Sequence, residues 1–463
     1  MIKQNFTYLF SPECNLESIK NLSLGFWQYS FQQKVKNHLL TNNSFLKTYG
    51  QDCMEQLQKL DTVISKCQNL STLELQIHYD EDDSKSMALI ASIIEKCQNL
   101  NDLELDFYDN QISSAGLGLF GSSLENLTNL KSLDIQLQQN KLNEKGILEF
   151  ATSLSKCPNL ANLSLNLLQN ELGADGASAL GDGLSQCISL KSLNLRLGQN
   201  QIGDEGITNL AVGLGKCNNL TDLSLNLLDN QIGPQGTSGL AKGLASSKTI
   251  TSLSLEFYEN DIKAEGAKHI LQGLSQCLEL KDLTLRLGDN AIGNDGAIGL
   301  GSSLKLLKNL INLKLELQFN QIGQEGLEQL GSGIQSIQNL EQLSLNISGN
   351  SIDSNSLSNL ASHLTSCNNV TALALYLGYN QIKDDGFSDL ISAISKLNNL
   401  KSLILELCRN NGITGNSTKE LQQLKNLTNL KKLILHQIPF SDEQTRDQLK
   451  QSLMEQVESI LIS

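Results

Sequence analysis

Aliphatic residues recur every 30 positions along most of this chain. Leu70, Leu100, Leu130, Leu160, Leu190, Leu220, Ile250, Leu280, Leu310, Leu340, Val370, Leu400 and Leu430 make a series of thirteen with no slip in register. Two shorter periodicities alternate inside each unit. Leu193, Leu195 and Leu197 alternate with Asn194 and Arg196, the pattern of a strand that buries one face. Ile207, Leu210, Leu214 and Cys217 then stand three and four apart, the stripe of a helix. The spacing therefore predicts thirteen strand–helix repeats over residues 67–436. One such repeat has too little apolar surface to bury alone, so the repeats must stack.

Polar and small residues keep the same register. Asparagine follows the strand at Asn110, Asn140, Asn170, Asn200 and onward to Asn410, where its short amide can satisfy main-chain groups left unpaired at a bend. Glycine returns six residues later, as at Gly146, Gly206 and Gly386, and predicts close packing between helix and sheet, since glycine otherwise weakens a helix. Both sets read as scaffold, because every repeat carries them.

The composite L-x-x-L-x-L…N-x-I-G-x-x-G-x-x-x-L resembles the leucine-rich repeat of the ribonuclease-inhibitor type, over about four fifths of the chain. An additional pair such as Arg196-Leu197 precedes the asparagine; two residues preserve the alternation of faces, so a lengthened strand is expected. The resemblance implies an α/β right-handed solenoid, a horseshoe with parallel strands on its concave wall and helices on its convex one. Thirteen strands at ~4.8 Å would give a wall roughly 60 Å long. Residues 1–66 lie outside the register and are expected to form an N-terminal cap with a degenerate strand at Ile19–Phe26. Residues 437–463 are expected to form a C-terminal capping helix that starts at Ser441-Asp-Glu-Gln.

Charge and chemistry narrow the function. A formal net charge of −14 opposes binding to a phosphate backbone, so nucleic acid is not an expected partner. The N-terminal residues lack a secretory pattern and no apolar run is long enough to span a bilayer, so no membrane insertion and a cytoplasmic location are expected. Of ten cysteines, Cys67, Cys97, Cys157, Cys187, Cys217, Cys277 and Cys367 share one helix-end register with Leu127, Ile337, Leu397 and Leu427, which marks them as small buried hydrophobes. Gly116-Leu-Gly118-Leu-Phe-Gly121 fits a dinucleotide-binding pattern in letters, but it falls in the helical part of a repeat. The acidic run Asp80–Asp83 lacks the glycine and late glutamate of a calcium loop. No cofactor, metal or catalytic set is expected.

What varies between repeats is the strand face opposite the core. It carries Asp102, Glu104, Asp106 and Asp134 near the N-terminus, Arg196 in the middle, then Glu256, Arg286 and Glu316 in one register. Those last three can pair with one another across strands or meet a partner. Tyr108, Tyr258 and Tyr376 share this face and are candidate anchors. The expected function is a non-enzymatic scaffold that holds a protein partner on this wall; the resemblance extends to members of cytoskeletal and ciliary assemblies. A second reading is a GTPase activator similar to the Ran-activating proteins of this repeat type, for which Arg409 is the one turn-positioned arginine.

Overall fold

The computed structural model describes residues 20–27, 47–49, 53–78, 83–415, 417–454 and 456–462. The expected starts of the degenerate strand at Ile19 and of the acidic run at Asp80 lie outside them. The chain divides into two compact halves, residues 1–230 and 231–463.

In the N-terminal half, strands β1 (Asn21–Trp27) and β2 (Lys47–Tyr49) precede helix α1 (Cys53–Ile64). Strand and helix then alternate: β3 (Thr72–His78), α2 (Asp83–Glu95), β4 (Asp102–Asp106), α3 (Ser114–Leu124), β5 (Ser132–Gln136), α4 (Glu144–Leu154) and β6 (Asn162–Asn166). The series ends with α5 (Gly173–Leu184), β7 (Ser192–Arg196), α6 (Gly203–Leu214) and β8 (Asp222–Asn226). All pairings are parallel, in the order β2-β1-β3 and then serially to β8.

The C-terminal half repeats the scheme with α7 (Pro234–Leu244), β9 (Ser252–Glu256), α8 (Lys263–Leu274), β10 (Asp282–Arg286), α9 (Gly293–Leu304), β11 (Asn312–Glu316) and α10 (Gln324–Gln335). There follow β12 (Gln342–Asn346), α11 (Ser354–Leu364), β13 (Ala372–Tyr376), α12 (Asp384–Ile394) and β14 (Ser402–Glu406). Its strands pair in parallel and in chain order. Within the regular repeats each pairing joins residues 30 apart, such as Leu193 with Leu223, so the sequence period becomes the sheet register directly.

The inward residues of the strand, Leu193, Leu195 and Leu197, are buried with Ile207, Leu210 and Leu214 of the following helix. The strand is not lengthened as expected. Its regular part spans five residues, because Gln199 turns left-handed at φ 56° and bends the chain out of the sheet. The additional pair extends the hydrogen-bond ladder instead: the N–H groups of Leu197 and Gln199 donate to Asn226 O and Leu228 O, each at 2.8 Å.

Asparagine at the bend reaches farther than its own turn. Asn320, fully buried, donates through Nδ2 to Leu287 O (2.7 Å) and Leu317 O (3.2 Å), while its Oδ1 accepts from the N–H groups of Asn290 (3.0 Å) and Ile292 (3.2 Å). One amide thus satisfies two main-chain acceptors and two donors, and joins two repeats. In the N-terminal half Asn140 does the same, and Asn200 bonds Leu167 O, Leu197 O and the Asn170 N–H. A second asparagine column stands just before the leading leucine: Asn369 and Asn399 each donate to a carbonyl one repeat back, Gln338 O and Asn368 O, both at 2.8 Å.

The recurrent glycines pack helix to helix, not helix to sheet. A Cβ on Gly146 in α4 would lie 2.6 Å from Ser114 Cα in α3, and one on Gly386 in α12 would lie 2.7 Å from Ser354 Cα in α11. Neighbouring helices start so close together that no side chain fits between them.

The column of cysteines is buried, and burial pushes the thiols of Cys97 and Cys187 up to about 12 and those of Cys157, Cys217, Cys277 and Cys367 to about 11. Thiolates are correspondingly scarce, as expected of packing cysteines. Ser247 occupies the same register; its buried hydroxyl has no partner.

The C-terminal end departs from expectation. Thr418, Leu421, Leu424 and Leu427 are buried at intervals of three, and Ser417–Asn426 is accordingly a 3-10 helix. After β15 (Lys432–His436), helix α13 covers only Glu443–Leu453, capped by Asp442, whose side chain accepts from Thr445 N. The end of the expected capping helix is a strand, β16 (Ser459–Ile462). Ile460 and Ile462 pair with Leu433 and Leu435, so the alternating apolar residues complete the row facing the core.

Two substitutions test this packing. Asn320→Ala strands several buried main-chain groups and is expected to destabilise the fold by about 2–4 kcal/mol in urea unfolding. Ser247→Cys restores the register's usual residue and is expected to raise the thermal midpoint, read by differential scanning calorimetry; a lower midpoint would show that the hydroxyl is not a liability.

Candidate partner-binding face

Strand parity holds throughout: residues flanking the buried leucines point away from the core, and on each half they form rows running across the strands. The ten sequence-predicted candidates divide between the halves, with Asp102, Glu104, Asp106, Tyr108 and Arg196 in the first and Glu256, Tyr258, Arg286, Glu316 and Tyr376 in the second.

In the N-terminal half, Glu74, Glu104 and Asp134 pair in register on β3, β4 and β5. Partial loss of water around Glu104, then the charges of Glu74, Asp134 and Asp106, hold its carboxyl above the usual range. Asp102 and Asp106 flank it on the same strand, while the Asp106 side chain also accepts from Tyr108 N at 3.1 Å. Arg196 lies exposed between Asn166 and Asn226, two strands beyond Asp134's.

In the C-terminal half, Arg286 reaches both neighbours, Glu316 at 3.2 Å and Glu256 at 3.7 Å, and Lys314 reaches Glu316 at 2.7 Å. The three residues left open between mutual pairing and recognition do pair. At a partly exposed surface such pairs contribute modestly to stability. Tyr258 lies across Gly288, where a Cβ would come within 2.8 Å of its ring, so the tyrosine fills a place left by glycine. Tyr376 is half-buried between Asn346 and Glu406 on adjacent strands.

The most apolar part of this face was not singled out from the sequence. Ala374, Ile404, Ile434 and Leu461 pair successively across β13 to β16, all on the outward side. Leu461 is 54% exposed, and Ile404 and Ile434 are half-buried. Parity from Leu403 and Leu405 would have marked Ile404 as an outward aliphatic; Leu461 was hidden by assigning its segment to a helix.

The repeats of both halves share one sequence register, and a model of the leucine-rich repeat matches residues 186–211, 282–301 and 310–331, each spanning one strand and part of its helix. The chain is a leucine-rich-repeat protein. No curated protein matches it. Among solved structures it is similar to a chain from "Crystal structure of Rad7 and Elc1 complex in yeast", at 18% identity over 79% of this chain and 85% of that one, with a TM-score of 0.42.

Within this leucine-rich-repeat chain Arg409 has a structural explanation. It occupies the left-handed position before the turn asparagine (φ 56°), the place held by Gln199 and Phe319 in other repeats. The dinucleotide-like glycines lie inside α3, where a Cβ on Gly121 would lie 3.1 Å from Phe150 Cα, and so frame no phosphate turn. No helix among the described residues is long and apolar enough to cross a membrane.

The carboxylate row has a pH signature. A carboxyl whose folded pKa is raised is disfavoured as an anion, so its penalty is absent below its unfolded pKa and complete above its folded one. Stability of the N-terminal half is therefore expected to fall as pH rises through the raised Glu104 pKa. Glu104→Gln should flatten that slope in urea titrations between pH 4 and 7; an unchanged slope would remove Glu104 as its source.

Proposed function

We propose that the protein is a non-enzymatic interaction module that holds a protein partner on the outward face of its sheet. One observation carries this reading: inward strand positions are almost uniformly leucine, whereas outward positions change from carboxylates to amides, ion pairs, tyrosine and isoleucine. Packing accounts for the uniform face and leaves the varied one unexplained. The ten named candidates, including Arg196 and Tyr376, are read as contacts on this face.

We read the repeats as the ribonuclease-inhibitor type, supported by the N-x-I-G turn and a three-turn helix in most repeats. Residues 1–66 are read as the N-terminal cap, 67–436 as the repeats and 437–463 as the C-terminal cap, now a helix plus a strand. A cytoplasmic scaffold in a cytoskeletal or ciliary assembly is the setting supported by the sequence resemblance.

The test is affinity purification from native cells with three forms of the full chain. A partner recovered with the natural chain and with the helix-face variant Lys242→Glu is expected to drop at least tenfold with Arg196→Glu plus Tyr376→Asp. Recovery that survives the sheet variant, or free monomer alone under gentle extraction, would contradict the reading.

A further inference from the structure

The C-terminal half holds an apolar row whose surroundings differ from the rest of the sheet. An outward groove of about 320 Å³ runs across β10 to β14, polar at its β10 end, where Asp282 and Lys314 line it, and floored toward β14 by the small Ser344, Ala374 and Ser402 beside Ile404. Ile434 and Leu461 continue the row past the groove. A single outward isoleucine or leucine is ordinary on a strand, but here such residues stand on three consecutive strands. A groove floored by small side chains beside larger aliphatic ones has the form of a socket for an inserted side chain.

Charge distinguishes the two long sides. Toward the strand starts stand Lys401 and Lys432, both exposed, and neither has a carboxylate partner among the described residues; Lys431 beside them pairs with Glu458 at 2.9 Å. Toward the strand ends stand Tyr376 and Glu406, and the Cys408 thiol donates to Glu406 at 3.5 Å. In a chain of net charge −14, two exposed lysines without an ion-pair partner beside an apolar row offer a carboxylate a place to pair. Complementarity then calls for carboxylates on the occupant.

We infer that this groove takes a short acidic segment of a protein partner, with one or two bulky apolar side chains seated among Ala374, Ile404 and Ile434 and its carboxylates against Lys401 and Lys432. The inference rests on the reading that the outward face of the sheet binds a partner, and it assigns the chemistry of that partner. Glu406 on the opposite side fixes the orientation, since it repels a carboxylate placed there. The Glu74–Glu104–Asp134 row of the other half would reject the same segment.

Three fluorescein-labelled peptides test this by anisotropy on the full chain: an acidic peptide with a central Leu-Phe pair, the same peptide with lysines replacing its acids, and the acidic peptide with serines replacing Leu-Phe. The first is expected to bind at least tenfold more tightly than the other two. Ile404→Thr, which keeps a branched strand residue, should weaken it at least tenfold. Lys401→Glu plus Lys432→Glu should shift preference toward the lysine peptide. No binding of the acidic Leu-Phe peptide, or equal binding of all three, would overturn the inference. Amide exchange with the peptide bound separates it from the broader reading: protection on β13 to β15 is expected. Protection on other strands overturns the groove alone, and protection confined to the helices overturns both.

Discussion

The structure depends on one buried side chain per repeat, the asparagine that ends the strand. Where a parallel strand turns into its helix, main-chain donors and acceptors leave the ladder yet stay out of water. Asn320 shows the solution: one amide makes these four hydrogen bonds, three to the preceding repeat and one within its own. Each bond is modest by itself, but the alternative is several unsatisfied buried groups. The left-handed residue before the asparagine, the extended ladder and the helix start all follow from that anchored bend. The exposed second asparagine column ties the opposite edge, so the repeats that carry it are fixed to a neighbour at both ends of the strand.

Because these ties and the leucine core recur with little change from repeat to repeat, they leave the outward strand residues free to differ. That division of labour underlies the functional reading. Packing demands nothing particular of Glu104, Arg196, Tyr376 or Ile404, so their identities can answer to a partner. Some of this freedom is spent internally: Arg286 joins Glu256 and Glu316 into a lateral network. The unpaired lysines beside the apolar row are not accounted for in that way.

Much of this was legible beforehand, for a definite reason. A period without slippage turns sequence spacing directly into strand register, so the thirteen strands and their buried leucines followed from counting, as did the place of the cysteines. What escaped were interactions between repeats or features seen only once. The period of Gly146 points to the sheet, although its neighbour is Ser114 of the preceding helix. The extra pair at Leu197 signalled a longer strand, but the left-handed turn at Gln199 converted it into a longer ladder. At the C-terminal end, Ser459–Ile462 has no second copy in register to announce a strand, and its four residues took their identity from pairing with β15. The outward row through Ile404 and Leu461 depended on that pairing and was hidden with it.

The central claim is that the sheet face, not the helix face, meets the partner. Site-specific photo-crosslinking in native cells tests it most directly, with benzoylphenylalanine placed at Ser344 on the sheet or at Lys242 on a helix. A discrete crosslinked species from Ser344 and none from Lys242 is the expected result. A species from Lys242 alone would contradict the account.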